Sequence, residues 1–118
     1  MAAITGMTIA IVQMEAMLKF YTAVFDLHFT PSQMMGHTLY HGKWGALSLQ
    51  FCPAELAGNS ATQNKHQLDV LVEDIHSCIQ KVTENQGSCM AEISEDDKAY
   101  RVGIYDPDGN SLVLQQLK

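Results

Sequence analysis

The sequence predicts an α+β fold, two βαβββ modules forming a curved sheet that encloses a cleft. Three observations carry this. The chain repeats itself at an offset of 61 residues, taking Met14 to Ile75 and Leu18 to Ile79. Its 118 residues are 47% hydrophobic and only 17% charged, which suits one buried core and excludes a disordered chain. One helix per half cannot cover both faces of a sheet. The halves must therefore pair, within one chain or between two, and the uncovered face bounds the cleft.

The first module, residues 1–56, opens with the strand-length run Met7-Thr8-Ile9-Ala10-Ile11-Val12. Met7, Ile9 and Ile11 form its greasy face, with Gly6, Thr8 and Ala10 opposite. A helix follows, striped by Met14, Met17, Leu18, Tyr21, Val24 and Phe25. Strands are expected near 27–35, 37–41 and 46–52, and Pro31 makes the first an edge strand or breaks it. The linker, residues 57–64, is rich in Ala, Ser and Asn.

The second module, residues 65–118, repeats the plan. Leu68, Val70 and Val72 alternate with Gln67, Asp69 and Leu71. Asp74 is placed as an N-cap, Ile75, Cys78, Ile79 and Val82 form the helical stripe, and Gly87 ends that helix. Strands are expected near 88–94, 99–105 and 111–117. Asp106-Pro107-Asp108-Gly109-Asn110 turns between the last two. Leu47-Ser48-Leu49-Gln50 matches Leu112-Val113-Leu114-Gln115 at an offset of 65, which puts four extra residues in the hairpin Glu95-Asp96-Asp97-Lys98.

Thirteen acidic residues against seven basic ones give a net charge of −6, with the bases scattered singly. Nucleic-acid binding is excluded on that ground, because phosphate contacts need clustered Lys and Arg. No apolar run approaches the ~20 residues that span a bilayer, so no membrane is expected either. The start of the chain lacks the basic, then long apolar, pattern of a signal peptide. Cys52, Cys78 and Cys89 are an odd number in no metal spacing, and a reduced, cytoplasmic protein is the simplest reading.

The phrase Phe20-Tyr21-Thr22-Ala23-Val24-Phe25-Asp26-Leu27, the phrase Tyr105-Asp106-Pro107-Asp108-Gly109-Asn110 and the doubled βαβββ pattern together resemble the glyoxalase / bleomycin resistance protein / extradiol dioxygenase superfamily. It is also called the vicinal oxygen chelate fold. The resemblance covers nearly the whole chain. In its metal-dependent members each module gives two ligands, one at the start of its first strand and one on its last. Carried over, those positions are Gly6, Ser48, Gln67 and Val113. An open divalent site needs about three good N or O ligands. Gly and Val offer none, Ser is poor, and a register error bringing in Gln50 adds only a neutral amide. The resemblance therefore implies the fold without the usual metal, and no cofactor is expected.

His37 and His41 have helical zinc spacing but lie in a strand, about 13 Å apart on one face. Asp106-x-Asp108 lacks the glycine and glutamate of a calcium loop and reads as a hairpin turn. Cys78 sits on the helical stripe, and no histidine pattern activates Cys52 or Cys89. Asp69 shares the cleft-facing parity of Gln67. Burial there would suit it as a base or a cation anchor, and on a wet face it is simply solvated. Ser48, Gln50, Gln67 and Gln115 share the predicted face. With Tyr40, Trp44, Arg101, Tyr105 and Val113 they make a candidate pocket of aromatic walls and polar anchors. One register slip reverses which aromatics point inward.

The leading expectation is a metal-free binder of a small organic molecule, cationic or aromatic, in the manner of sequestering resistance proteins. By resemblance it is a homodimer with clefts between modules of opposite chains. The alternatives are a metal-dependent lyase, isomerase or dioxygenase with relocated ligands, and a non-catalytic dimerisation module.

Overall fold

Residues 3–59, 61, 63–64 and 66–118 are described in a computed structural model. The first half contains β1 (Gly6–Ile11), α1 (Met14–Phe25), β2 (Thr30–Met34), β3 (His37–Trp44) and β4 (Leu47–Pro53), followed by a short helix, α2 (Ala54–Ala57). The second contains β5 (Leu68–Leu71), α3 (Ile75–Glu84), β6 (Ser88–Cys89), β7 (Ser94–Glu95), β8 (Ala99–Tyr105) and β9 (Ser111–Leu117). The sheets run β1-β4-β3-β2 and β5-β9-β8-β6, with β7 also on β8. In each, the first strand lies parallel to the last and the other pairs are antiparallel. The offset of 61 links the first residues of the two long helices, Met14 and Ile75.

The helical stripes do what their spacing requires. Met17, Phe20, Tyr21 and Val24 of α1, and Ile75, Cys78 and Val82 of α3, are buried. They share one core with Ile9, Ile11, Leu49 and Phe51 of the first sheet and Val102, Ile104, Leu112 and Leu114 of the second. The helices also touch each other. Each sheet thus keeps its other face open.

Three expectations are corrected. The strand near 88–94 is two short pieces, because the four residues 90–93 stand opposite only two of β8, Val102 and Gly103, and break the ladder. Met90 lies against Gly103, where a Cβ would come within 2.5 Å of its sulfur. Gly87 does not end α3 by a positive φ; Gln86 takes that conformation, at 67°. Gly87 is needed for space, since a Cβ there would meet Phe20, Val82 and the Tyr105 carbonyl at 2.5–2.8 Å. The strand equivalence is 63 rather than 65. Leu49 pairs with Met7, and Leu112 pairs with Leu68, the residue 61 after Met7. A slip of two keeps every side chain on its face, whereas a slip of one would not.

The turn 106–110 joins the halves. The Tyr21 hydroxyl donates to the Asp106 carboxylate at 2.8 Å, across 85 residues. Asp108 accepts from the backbone N–H of Val12 and of Gln13, at 2.8 and 2.9 Å, and so fixes the residues that lead into α1 from the other half. Asn110 donates its amide to Asp106 and accepts from the Asn64 N–H. The two phrases that carried the family resemblance meet here.

Candidate functional site

The open face of the first sheet is built from two rungs. Gly6 pairs with Ser48 and Ser48 with Lys43; Thr8 pairs with Gln50, Gln50 with His41, and His41 with Thr30. Their side chains interlock along the rungs. Lys43 Nζ donates to Ser48 Oγ at 2.8 Å, Gln50 Nε2 to Thr8 Oγ1 at 3.5 Å, and His41 Nε2 lies 2.7 Å from Ser32 Oγ. Thr8, His41, Lys43, Ser48 and Gln50 line a recess of about 390 Å³ together with Gly6, Met7, Gly42 and Leu49.

The second sheet's open face carries Asp69 beside Val113, Leu71 beside Gln115, and Arg101 across from Gln115. Gln67 Nε2 donates to Ser111 Oγ at 3.1 Å, and Ser111 faces the exposed Tyr105. Arg101 is engaged by Asp96 at 2.7 Å. The backbone N–H of Lys98, then the Arg101 guanidinium and the backbone of Ala99, hold the Asp96 carboxyl at about 2. Asp69 is exposed on a recess of about 280 Å³, lined with Trp44, Leu47, Leu68, Val70 and Leu71. The wet strand face is therefore the setting Asp69 has.

The candidate pocket is thus divided. Ser48 and Gln50 lie on the first open face; Gln67, Asp69, Arg101, Tyr105, Val113 and Gln115 belong to the second sheet. Tyr40 and Trp44 belong to neither face. Tyr40 pairs with Phe51 on the core side, and Trp44 packs on Phe25 with centroids 4.9 Å apart and edge-on to Tyr21 at 5.8 Å. In β3 the odd-numbered residues face out, so His41 and Lys43 take the places the aromatics were given. The signal lay in Gly45-Ala46. Read as a two-residue hairpin turn it pairs Trp44 with Leu47, and hence Lys43 with Ser48 and His41 with Gln50.

The four positions inherited from metal-dependent members fall into two pairs. Gly6 and Ser48 are rung neighbours that line the 390 Å³ recess, which Gln67 and Val113 do not. One amide and one hydroxyl do not fit a divalent ion. Among the described residues, no group of three or more His, Cys, Asp or Glu comes together to hold one. His37 and His41 share a face of β3, as the strand spacing implied.

The remaining reactive groups have structural settings. Burial pushes the Cys78 thiol up to about 11 and raises that of Cys89, so neither is an activated nucleophile. Burial also lifts the Asp106 carboxyl above its usual range, against the pull of its hydrogen bonds from Asn110 and Tyr21. The Tyr21 hydroxyl, buried against that carboxylate, is raised well above its ordinary value. Both carboxylates of the 106–110 turn are spent on internal hydrogen bonds, so the turn is not a calcium loop.

A further cavity of about 320 Å³ lies between β1 and the second sheet. Met7, Ile9, Leu68 and Leu112 give it apolar walls; Tyr21, His66, Asn110 and Ser111 add polar groups. Among the described residues no helix is long and apolar enough to cross a membrane.

Solved structures share this fold. An enzyme of the glyoxalase/bleomycin resistance protein/dioxygenase family from Burkholderia phytofirmans aligns at a TM-score of 0.80 and 18% identity, over 99% of this chain and 100% of that one. An antibiotic binding protein from a Streptomyces species aligns at 0.72 and 13%, over 100% and 98%. A lactoylglutathione lyase from Agrobacterium tumefaciens aligns at 0.67 and 18%, over 98% and 93%. A search of curated proteins finds no match. The family model Glyoxalase/Bleomycin resistance protein/Dioxygenase superfamily matches residues 3–114, nearly the whole span of both sheets. The chain belongs to that superfamily.

Proposed function

We propose that the protein binds a small organic molecule, without a metal, in the recess on the first sheet's open face. The observation that carries this is the composition of that recess. It has the volume of a small-ligand site, and hydroxyl, amide, imidazole and ammonium groups converge on it. Where a metal enzyme of the superfamily needs its first two ligands, it has Gly6 and Ser48. The likeness to an antibiotic binding protein fits this reading, and the likeness to a lyase fits the enzymatic alternative.

The assembly we propose is a homodimer that sets the first open face of one copy against the second open face of the other. Support comes from the exposed Leu71 and Leu117 and from the β1 and β5 edges, each paired on one side only. The three free thiols suit a reducing compartment, and we place the protein in the cytoplasm.

Two measurements test the binding reading. Protein purified without chelator and then dialysed is expected to hold no stoichiometric Ni, Zn, Fe or Mn; a full equivalent would restore the metal-enzyme reading. A thermal-shift screen of charged and neutral aromatic compounds is expected to yield binders. Saturation a hundredfold above Kd stabilises by about 2.7 kcal/mol. If nothing shifts the melting temperature, the fold serves only as a dimerisation module.

A further inference from the structure

We infer that the recess on the first sheet takes the carboxylate of a small organic acid, with Lys43 as its counter-charge. This rests on the reading of that recess as a small-molecule site and names the class of ligand. The protein's net charge of −6 points towards a cationic ligand. The local charge points the other way. None of the thirteen carboxylates lies in β1, β2, β3 or β4; the nearest in sequence are Glu15 on α1, Asp26 after α1 and Glu55 on α2. The same strands carry Lys43, His37 and His41, all of the parity that faces outward from β3. The acidic residues that give the chain its charge are on α1, α2 and the second half, Asp69 among them.

Within one chain Lys43 has no carboxylate partner among the described residues. The described residues form three ion pairs, His28 with Asp26, Arg101 with Asp96 and Lys118 with Glu95, and Lys43 is in none of them. Its one side-chain hydrogen bond goes to the Ser48 hydroxyl. An ammonium has three protons to give, so two remain for an oxyanion. Around it stand the Gln50 amide, the Thr8 and Ser48 hydroxyls and the His41 imidazole. The ammonium is a fixed positive charge in the recess, and one carboxylate balances it. A phosphate, at −1.5 to −2, carries more charge than the one Lys of this recess balances, and no Arg fork lines it. Gly6 carries no side chain beside Ser48, whose carbonyl oxygen would lie 3.1 Å from a Cβ there.

The test is an amide-correlation NMR titration of the full chain with benzoate and, in parallel, with benzylamine, which has a similar frame and the opposite charge. Benzoate is expected to move the amides of Thr8, Lys43 and Gln50, and benzylamine to leave them in place. Lys43→Gln should weaken benzoate binding by about tenfold, the scale of one charge-assisted hydrogen bond. Lys43→Arg should restore most of it. Lys81→Gln on α3, which removes the same charge elsewhere, should leave it unchanged. Lys43 is exposed, so these variants are expected to fold. Benzylamine moving those amides, benzoate moving only residues around the 320 Å³ cavity, benzoate moving none, or equal losses in the Lys43 and Lys81 variants would each overturn the inference. A cationic or neutral binder found in the thermal-shift screen would leave the small-molecule reading standing while removing this one.

Discussion

The two halves share a plan and are held together by different chemistry. At equivalent helix positions the first has Tyr21 and the second Val82; at equivalent strand positions the first has Phe51 and the second Leu114. All seven close ring pairs among the described residues lie in the first half, linking Phe20, Tyr21, Phe25, Phe29, Trp44 and Phe51. The second half's core is aliphatic. The helix starts differ as well. α3 is capped at home, by Asp74 on the Ser77 N–H and by Gln116 on the Ile75 N–H, whereas the residues leading into α1 are held by Asp108 from the other half. A duplicated unit has kept its topology while one copy supplies polar groups that the other depends on.

The largest effect is expected where the aromatic core is thinned. Phe51 is fully buried, 5.3 Å from the Tyr21 ring and 4.7 Å from that of Phe29. Phe51→Ala should cost about 4 kcal/mol in urea unfolding, and Leu114→Ala at the matching position about 3 kcal/mol. Equal losses would show that the ring contacts add nothing beyond buried area.

Next comes the polar bridge. Asp106→Ala removes the acceptor of the Tyr21 hydroxyl and of the Asn110 backbone and amide. It should cost about 3 kcal/mol, because buried donors are left unpaired. Tyr21→Phe removes one partner of a carboxylate that keeps two others and should cost about 1 kcal/mol. A double-mutant cycle of the pair is expected to show strong coupling.

How much of this was legible follows from which interactions are local. Helix positions, their stripes and the Asp74 cap lie within a few residues of one another, and the offset of 61 found them. The turn 106–110 was legible as a turn because Pro107 and Gly109 carry its geometry. Its work in reaching Tyr21 and α1 was not, since nothing near Val12 says that its N–H will meet a carboxylate 96 residues on. The parallel pairings β1–β4 and β5–β9 are non-local too, and the Leu-x-Leu-Gln match favours an offset of 65 although the strands pair at 63. Tyr40 and Trp44 were misplaced for the same reason. A strand's faces are assigned only once one pairing is fixed, and the Gly45-Ala46 turn was the local clue.

The helix starts give a smaller and sharper contrast. Asp108→Ala should cost about 2 kcal/mol, because the two N–H groups leading into α1 lose their acceptor and the halves lose a contact. Asp74→Ala should cost about 1 kcal/mol, since Gln116 still serves the Ile75 N–H. Amide hydrogen exchange locates the damage. Asp108→Ala should loosen the first turn of α1 together with the 106–110 turn, and Asp74→Ala only the first turn of α3.

The smallest effects are in the acid limb of stability, where two carboxylates of the second half pull in opposite directions. Asp96 is held near 2 by its backbone and Arg101 hydrogen bonds, against an ordinary 3.8. Its contribution is complete above 3.8 and is lost as pH falls towards 2, because the unfolded chain takes the proton first. Asp106 is raised by burial, so the native state takes the proton first. Its contribution grows as pH falls through the interval between its raised value and 3.8, and is least near neutrality. Melting temperature followed from neutrality to about pH 2 should therefore fall less steeply in Asp96→Asn and more steeply in Asp106→Asn than in the parent chain. The slope is the quantity to compare, since Asp106→Asn also lowers stability at every pH. If both variants flatten the curve, the hydrogen bonds from Tyr21 and Asn110 outweigh burial, and the bridge between the halves is held by an ordinary ionised carboxylate.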